Sequence, residues 1–454
     1  MDLENIARRS IEKGRGKKEA VEEIKRAVKE FKRWDEKKIA EFSEAVYEEV
    51  KTSLKFEKVK DTFLREVLGF HKTTVKAGEA GVGSRGKGDF AVHRAIAEII
   101  GKRGFVSVLE QDDAGALFLS AKKTQYLVAA VDGMHSRLSE FPFLAGFHAA
   151  RAALRDICVK GALPVALLAD VRIGDDGDVS KLLDFTSGMA AVSELTNAPL
   201  IAGSTLRIGG DMVFGERLIG TVGAIGTAEK IFARKFAEEG DIILATEGKG
   251  GGTVSTIAIF HGEFEAVKET LNVDFVKACG AVLNSTLKDK LHVMSDVTNG
   301  GIRGDASEIA KTSGKKLVFY EDMLERIVSP KIRKMLEKSE VDSLGISTDS
   351  LLLTLPESSA EEAKKIIGKV AKVYEIGYVA KPRKKEEKGR AFLAASGKEK
   401  PFEPKFREAA YTKIKKIIGE EEPENFEKIL EKIEEAKRRA IEKKNRVKGF
   451  VERT

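Results

Sequence analysis

Cysteine is nearly absent from this chain of 454 residues: only Cys158 and Cys279 occur, each in an apolar context. Two such residues exclude a disulfide framework and a thiolate metal site and suit a reducing compartment. Both read as packing residues rather than nucleophiles. Histidine is scarce too, with six in the chain; His93, His148 and His292 have no partner at metal-ligand spacing, which points to packing or hydrogen bonding. The single tryptophan, Trp34, belongs to a core or interface rather than a base-stacking platform. Also missing is any apolar run near the roughly 20 residues that a membrane helix needs. The opening Met-Asp-Leu-Glu-Asn has no signal-peptide pattern. A cytoplasmic protein with no membrane contact is expected.

What the chain has in quantity is charge of both signs, 79 Lys and Arg against 72 Asp and Glu, for a net +7. Such a mixture describes an ion-pair-rich surface more than a dedicated nucleic-acid binder. Four regions separate by texture. Residues 1–70 carry Ile24, Val28 and Phe31, then Ile39, Phe42, Val46 and Val50, at helical spacing in a Glu- and Lys-rich background, a helical lead-in. Residues 71–227 and 228–385 alternate short apolar runs with glycine-rich loops and helices, which reads as two α/β halves. Residues 386–454 read as a charged helical tail. A length of 454 residues is ample for more than one core.

Within the first half, Asp112 and Asp113 are adjacent, and the buried strand Tyr126–Val131 delivers Asp132 into a loop beside them. Two carboxylates about 5 Å apart repel by on the order of 3 kcal/mol at an effective dielectric near 20, so a cation is expected between them. Hard oxygen ligands that leave room for phosphates are what Mg²⁺ uses at nucleotide sites. For the pair alone, two solvated turn acids are the simpler reading. A helix from Ala145 to Gly161, stopped by Gly161 and Pro164, carries Asp156 in an apolar stretch. Asp156 therefore either lies exposed beside Arg155 or faces the same site as the loop acids. The run Pro199–Gly203 reads as a strand that opens into a loop at Ser204 and Thr205.

Glycine-rich loops supply the remaining chemistry. The stretch from Gly81 to Asp89 includes Gly83, Ser84, Arg85, Gly86, Lys87 and Gly88. It offers backbone N–H groups and cations to phosphates, although Gly88 stands where a P-loop has its hydroxyl. A basic lid over phosphates is the preferred reading, a solvated loop the alternative. In the second half, Gly250-Gly251-Gly252-Thr253 is a phosphate-accommodating turn or a hinge. Asp296, Thr298 and Asn299 precede a glycine pair at a helix start, where an anion or metal can be held. Ser347, Thr348 and Asp349 address a polar substrate or are ordinary turn residues.

Taken in order, these motifs resemble those of the aminoimidazole ribonucleotide (AIR) synthetase superfamily, the PurM-like enzymes, from about Gly81 to Gly377. Asp112-Asp113-Ala114 is similar to the family's Asp-Asp-Ala loop, Asp132-Gly133-Met134-His135 to its next acidic loop, and Arg155 through Pro164 to its helix end. Gly240-Asp241 and Asp296 through Gly301 are similar to its two C-terminal markers. The subgroup most resembled is the archaeal branch related to AIR synthase and selenophosphate synthetase. The resemblance implies a two-domain α/β fold whose N-terminal half lends strands to a barrel shared by a homodimer. It implies ATP and Mg²⁺ as cofactors, with Asp112, Asp113, Asp132 and Asp156 as metal ligands. The loop Gly83 to Gly88, with Asp132, His135, Asp296 and Asn299, would bind the nucleotide, and Lys87 and Asp113 would serve catalysis. The activity implied is transfer of the γ-phosphate to a small-molecule acceptor, by a phosphotransferase or an ATP-driven ligase-like enzyme.

Departures from the family pattern narrow this. Arg155 replaces the usual Asn, and Ser204 replaces the acid of a Gly-Gly-Asp-Thr loop. No Cys lies near Gly81 to Asp89 or in the final Val451-Glu-Arg-Thr454, so the selenophosphate synthetase and HypE activities are not expected. A nucleotide-binding regulator or complex subunit is the alternative, with protein partners for the helical ends. RNA binding through Lys384 to Lys388 ranks last, because charged helical tails are more commonly solvated or partner-packing faces.

Overall fold

The computed structural model describes residues 1–54, 86–100, 105–112, 115–120, 125–298, 300–408, 410–412 and 419–453, apart from 107, together with 58, 60–62, 73, 75 and 415–416. The first half is built on a five-stranded sheet of β1 (Gly115–Ser120), β2 (Gln125–Gly133), β3 (Leu163–Ile173), β4 (Leu200–Arg207) and β5 (Leu218–Ala228). Its order is β1-β2-β5-β3-β4, antiparallel except for β3 and β4, which run parallel. The β3–β4 connection is a crossover through the helix Val179–Thr196, as a parallel pair requires. β5 alternates strictly between buried and less buried residues, the period of a half-covered strand. Gly220 on its buried side leaves space for the Phe185 ring, which a Cβ would meet at 2.4 Å. Ser204 and Thr205, expected in a loop, lie inside β4, where Ser204 pairs with Asp170 and Thr205 with Val171; pairing with β3 carries the strand past its apolar start.

The helix over this sheet runs Pro142–Val159, with Pro142 in its first turn, where a missing N–H costs nothing. Gly161 follows at φ +92°. Ile157 and Cys158 on this helix share one core with Phe275 and Cys279 of the helix Asp274–Leu283 and with Leu353 of the second half. The two halves are thereby joined through a common apolar interior, and both cysteines are packing residues within it.

The second half contains β6 (Asp241–Thr246), β7 (Val293–Val297), β8 (Lys316–Tyr320), β9 (Ser350–Pro356), β10 (Val373–Ala380), β11 (Ala391–Ala395) and β12 (Lys398–Pro401). They form one sheet in the order β12-β11-β8-β10-β6-β9-β7. β6 and β7 are buried along their whole length, which fits the apolar run Ile242–Ala245 in β6, while β7 carries the buried polar pair Ser295 and Asp296. A second core on this sheet gathers Val254, Ile302 and Ile332 from three helices. β11 and β12 correct the expected boundary at residue 385: Ala391–Ala395 is a short apolar run in charged surroundings, and parallel pairing with β8 incorporates it.

Both ends of the chain are docked. The helices Leu3–Glu12, Lys17–Phe31 and Glu36–Ser53 enclose their own core around Phe214 of the first half. Phe42 stacks on Phe214 at 6.0 Å and Trp34 meets Phe42 edge-on at 5.3 Å, while Lys32 pairs with Asp175 and Asp176. The expected tail is helical over Phe426–Val451, and Lys437 ties it to Glu98 of the helix Lys87–Ile100. Among the described residues no helix is long and apolar enough to cross a membrane. Because Phe214 is the anchor for the N-terminal helices, Phe214→Ala should cost about 3–5 kcal/mol of their local stability. Hydrogen exchange should show protection lost across residues 3–50 and retained in β6 and β9; uniform loss would contradict separate docking.

Candidate functional site

The site grows from one face of the helix Pro142–Val159. Arg151 and Arg155 stand one helical turn apart in an otherwise apolar stretch, and they are only 2% and 8% exposed. Arg151 donates to the carbonyls of Gly250 (2.8 Å), Thr270 (2.9 Å) and Asn272 (2.8 Å) and lies 3.2 Å from Asp349. Arg155 donates to Asp349 at 3.0 Å and is in short contact with Asp296, while Asp156 and Asp132 stand at 3.7 and 4.0 Å. Burial works against the Arg155 charge, but Asp296, Asp156, Asp349 and Asp132 outweigh it and raise the guanidinium well above its usual value. Asp349, which bridges both arginines, sits at φ +60°, a left-handed conformation that Asp tolerates better than most residues.

Of the expected ligands, Asp132 and Asp156 are thus brought to one point, and Asp156 faces the cluster. Their side chains keep 27% and 17% exposure, against 1% for Asp296 and 3% for Asp349. Asp112 is directed elsewhere. It is sealed in an ion pair with Lys160 at the helix end, with side chains 1% and 0% exposed, and accepts the backbone N–H of Arg234. This corrects its reading as a metal ligand, because Lys160 already supplies its countercharge. Asp296 is likewise committed to Arg155. Gly83, Ser84, Arg85, Asp113 and Asn299 lie outside the described residues. Gly86 packs against the Phe406 carbonyl, where a Cβ would come within 1.8 Å. Lys87 and Gly88 open a helix instead of a loop, and Lys87 is exposed 3.2 Å from Glu422.

A cleft of about 250 Å³ opens beside this cluster. Asp132, Arg151 and Arg155 line one part of it, the Gly251–Thr253 turn, Thr298 and Ser347 another, and Tyr411 and Lys415 close it. His135 lines this cleft and is held by protein: Nδ1 lies 3.0 Å from the Thr256 hydroxyl and Nε2 2.8 Å from the Tyr411 hydroxyl. Since Thr256 donates its proton to Gly252, His135 carries hydrogen on Nδ1 and accepts from Tyr411. Burial, then Lys415 and Arg137, push its pKa down to about 4, so the ring stays neutral. A second cavity of about 670 Å³ is flanked by Lys87, Arg94, Lys235 and Lys311, with Phe426 from the tail.

Comparison with known proteins agrees with this architecture. Residues 111–228 match the model for the N-terminal domain of AIR synthase related protein, and residues 238–389 match that for its C-terminal domain. The chain belongs to the AIR synthase-related family. It is 49% identical to the uncharacterized protein MJ1416 of Methanocaldococcus jannaschii over 98% of this chain and 97% of that one. Among solved structures, AaThiL complexed with AMPPCP and TMP superposes with a TM-score of 0.54 at 17% identity, covering 70% of this chain and 96% of that one. Hydrogenase maturation protein HypE in complex with ATP gives 0.51 at 18% identity, covering 64% and 88%. At such identities the likeness is one of fold.

The family markers acquire separate duties here. Asp241 of Gly240-Asp241 is buried and receives His292 Nδ1 at 2.9 Å and the Glu238 N–H, a structural role. Gly301 of the second marker stands at φ +60°, with the Leu344 carbonyl 2.2 Å from where a Cβ would be, so the turn demands glycine. Sequence alone does not single out Arg151 or Tyr411, and Asp349, read there as a substrate-facing or turn residue, is here the bridge between two arginines. A signal existed for Arg151, a second cation four residues before Arg155 on an apolar helix; nothing local marks Tyr411.

Removing one partner of a buried ion pair typically costs about 3–5 kcal/mol, and Arg155→Met takes the nearby guanidinium from Asp296 and one of two from Asp349. A buried carboxylate without its cation has a raised folded-state pKa, so it stabilises relative to the unfolded chain at low pH and destabilises as pH rises. The stability deficit of Arg155→Met, measured by denaturant unfolding, should therefore grow from pH 5 to pH 8. A deficit independent of pH would remove Arg155 from its place as countercharge.

Proposed function

We propose that this chain is a Mg²⁺-dependent, ATP-binding enzyme that transfers the γ-phosphate to, or activates an oxygen of, a small-molecule acceptor. The observation that carries the reading is the exposure of the cluster's acids: Arg151 and Arg155 hold Asp296 and Asp349 in the interior, whereas Asp132 and Asp156 keep side chains 27% and 17% exposed beside an open cleft. Mg²⁺ at nucleotide sites takes one or two carboxylates and completes its shell with water and phosphate oxygens. Asp132 and Asp156, the more exposed acids, fit that requirement. Among the described residues no group of three or more His, Cys, Asp or Glu side chains is arranged to hold a metal. When bound, Mg²⁺ would neutralise charge on the phosphate oxygens. Arg151 and Arg155 fix the acids' positions, and Lys87 and the segment Gly83 to Gly88 are assigned to the phosphates. Asp113 and Asn299 keep their assignments as metal and nucleotide ligands in this reading.

A homodimer is part of the proposal. Val131, Leu206 and Ile219 are 71%, 53% and 42% exposed on strands of the five-stranded sheet, whose other face the helix Pro142–Val159 covers. A second copy of the sheet is the occupant with matching chemistry. Arg155 within the acid cluster also favours a second reading, a nucleotide-binding regulator without turnover; tight ATP binding with no phosphoryl transfer across a metabolite screen would select it.

Asp132→Asn and Asp156→Asn should each weaken Mg²⁺-dependent binding of a nonhydrolysable ATP analogue on the order of tenfold or more, about 1.4 kcal/mol, as read by calorimetry. Unchanged affinity in both would refute the metal assignment. Val131→Asp should convert the dimer to monomer in sedimentation equilibrium while leaving the melting transition cooperative; a wild-type monomer would sink the dimer.

A further inference from the structure

The second cavity, of about 670 Å³, is larger than the cleft beside the acids and lies within the range of roughly 300–1,000 Å³ usual for small-molecule sites. Most of its wall lies outside the matched family domains, which cover residues 111–228 and 238–389. Phe90 and Arg94 come from the helix Lys87–Ile100, Leu109 from the helical turn Val108–Glu110, and Phe426 and Leu430 from the tail helix. Lys311, near the end of the helix Gly301–Ser313, faces them from the second half. The apolar part is firmly built: Phe426 is held edge-on by Phe406 with ring centres 4.9 Å apart, in a small core that Val92 and Leu430 extend. Leu109 nevertheless stays 42% exposed, and covering a leucine side chain fully is worth about 1.5–3 kcal/mol.

The charges around this cavity do not balance. Each acid among its described lining residues is taken by a cation: Glu110 by Lys235 at 3.4 Å, Glu308 by Arg234 at 2.6 Å and Glu403 by Arg390 at 2.5 Å. Lys87, at the rim, reaches Glu422 at 3.2 Å. Arg94 and Lys311 remain, and among the described residues neither has an ion pair or hydrogen bond from its side chain. They also repel one another: burial and then Arg94 hold the Lys311 ammonium below its ordinary value, against a weaker pull from Glu308. Two like charges beside uncovered apolar surface are relieved together by one kind of ligand, an anion with an apolar body.

We propose that this cavity binds a small organic anion, with Arg94 and Lys311 on its charged group and Phe90, Leu109, Phe426 and Leu430 around an aromatic or branched apolar body. The charged group is a carboxylate, sulfonate or phosphate. Because the tail helix completes the wall, the site belongs to the whole chain rather than to the family domains alone. It is separate from the acid cleft and does not rest on the functional reading above.

The test titrates anilinonaphthalene sulfonate, a fluorescent aromatic anion, into the full chain, and beside it phenylnaphthylamine, the same ring system without the sulfonate. The sulfonate should bind the wild type saturably with enhanced fluorescence. Arg94→Met and Lys311→Met should each weaken it about tenfold, the worth of one charge-assisted contact, and leave phenylnaphthylamine within about twofold. Lys372→Met, which removes a lysine bonded to Glu247, should change neither probe, and Leu109→Trp, which fills the cavity, should weaken both. Arg94 and Lys311 are exposed, so their variants should melt with the wild type; should either melt early, Arg94→Gln and Lys311→Gln carry the same comparison. Absence of saturable sulfonate binding, or equal affinity in wild type, Arg94→Met and Lys311→Met, overturns the proposal. Displacement of the sulfonate by a nonhydrolysable ATP analogue with Mg²⁺ would make the cavity part of the nucleotide site and overturn it as well. If the analogue itself fails to bind, the functional reading falls, while the nucleotide-free titration still decides this site.

Discussion

The guanidinium of Arg155 is the point on which this molecule is organised. Taking a full charge out of water costs several kcal/mol after relaxation, so a buried arginine holds its place only where carboxylates and good geometry repay the loss. Here the repayment comes from both halves: Asp132 and Asp156 belong to the first, Asp296 and Asp349 to the second. Arg151 extends the same logic, since it spends its remaining donors on three carbonyls of the second half. Apolar contact between the helices Pro142–Val159 and Asp274–Leu283 is non-directional and would permit sliding. The ion pairs fix the register of one half against the other, and with it the walls of the cleft.

Much of this was legible in the sequence because it is written locally. Helical spacing gives the helix near Ala145–Gly161, apolar runs give β2, β6 and β9, and the ordered acids give the family and the convergence of Asp132 and Asp156. What escaped is decided by partners distant in the chain. Asp112 looks identical to a metal ligand until Lys160 is seen against it. Ser204 and Thr205 look like a loop until β3 is laid beside them. The apolar run of β11 is too short to be told from a loop until it pairs with β8, and the charged β12 owes its state to β11. Tyr411 sits in a charged, irregular stretch whose local composition says nothing of the cleft 276 residues away from it along the chain, at His135.

The two extensions act on the structure differently. The N-terminal helices build a core of their own and touch the first half through Phe214 and Lys32, remote from the acids. The C-terminal segment instead connects elements that belong to the site. Glu408 is bonded to Arg303 in the helix that follows Asp296, Tyr411 to His135 in the Asp132 loop, and Phe406 packs at Gly86, just before the helix of Lys87. Phe406, Glu408 and Tyr411 thus reach Gly86, the helix after Asp296 and the Asp132 loop in turn, and Tyr411 also walls the cleft.

Placing arginine where relatives of this fold are expected to have asparagine changes the electrostatic problem rather than removing it. A neutral amide would leave the four carboxylates to be balanced by Arg151 and by bound cations. Arg155 supplies one positive charge permanently, and it does so most strongly for Asp296 and Asp349, the two acids nearest to fully buried. The acids it reaches least closely, Asp132 and Asp156, are the ones still open to solvent. A fixed cation thus stabilises the deep side of the cluster, and under the proposed function the shallow side is the part left for an ion carried by a nucleotide. In that reading Arg155 takes over charge balance that a further metal ion would otherwise supply, while Asp132 and Asp156 still give a reason for one.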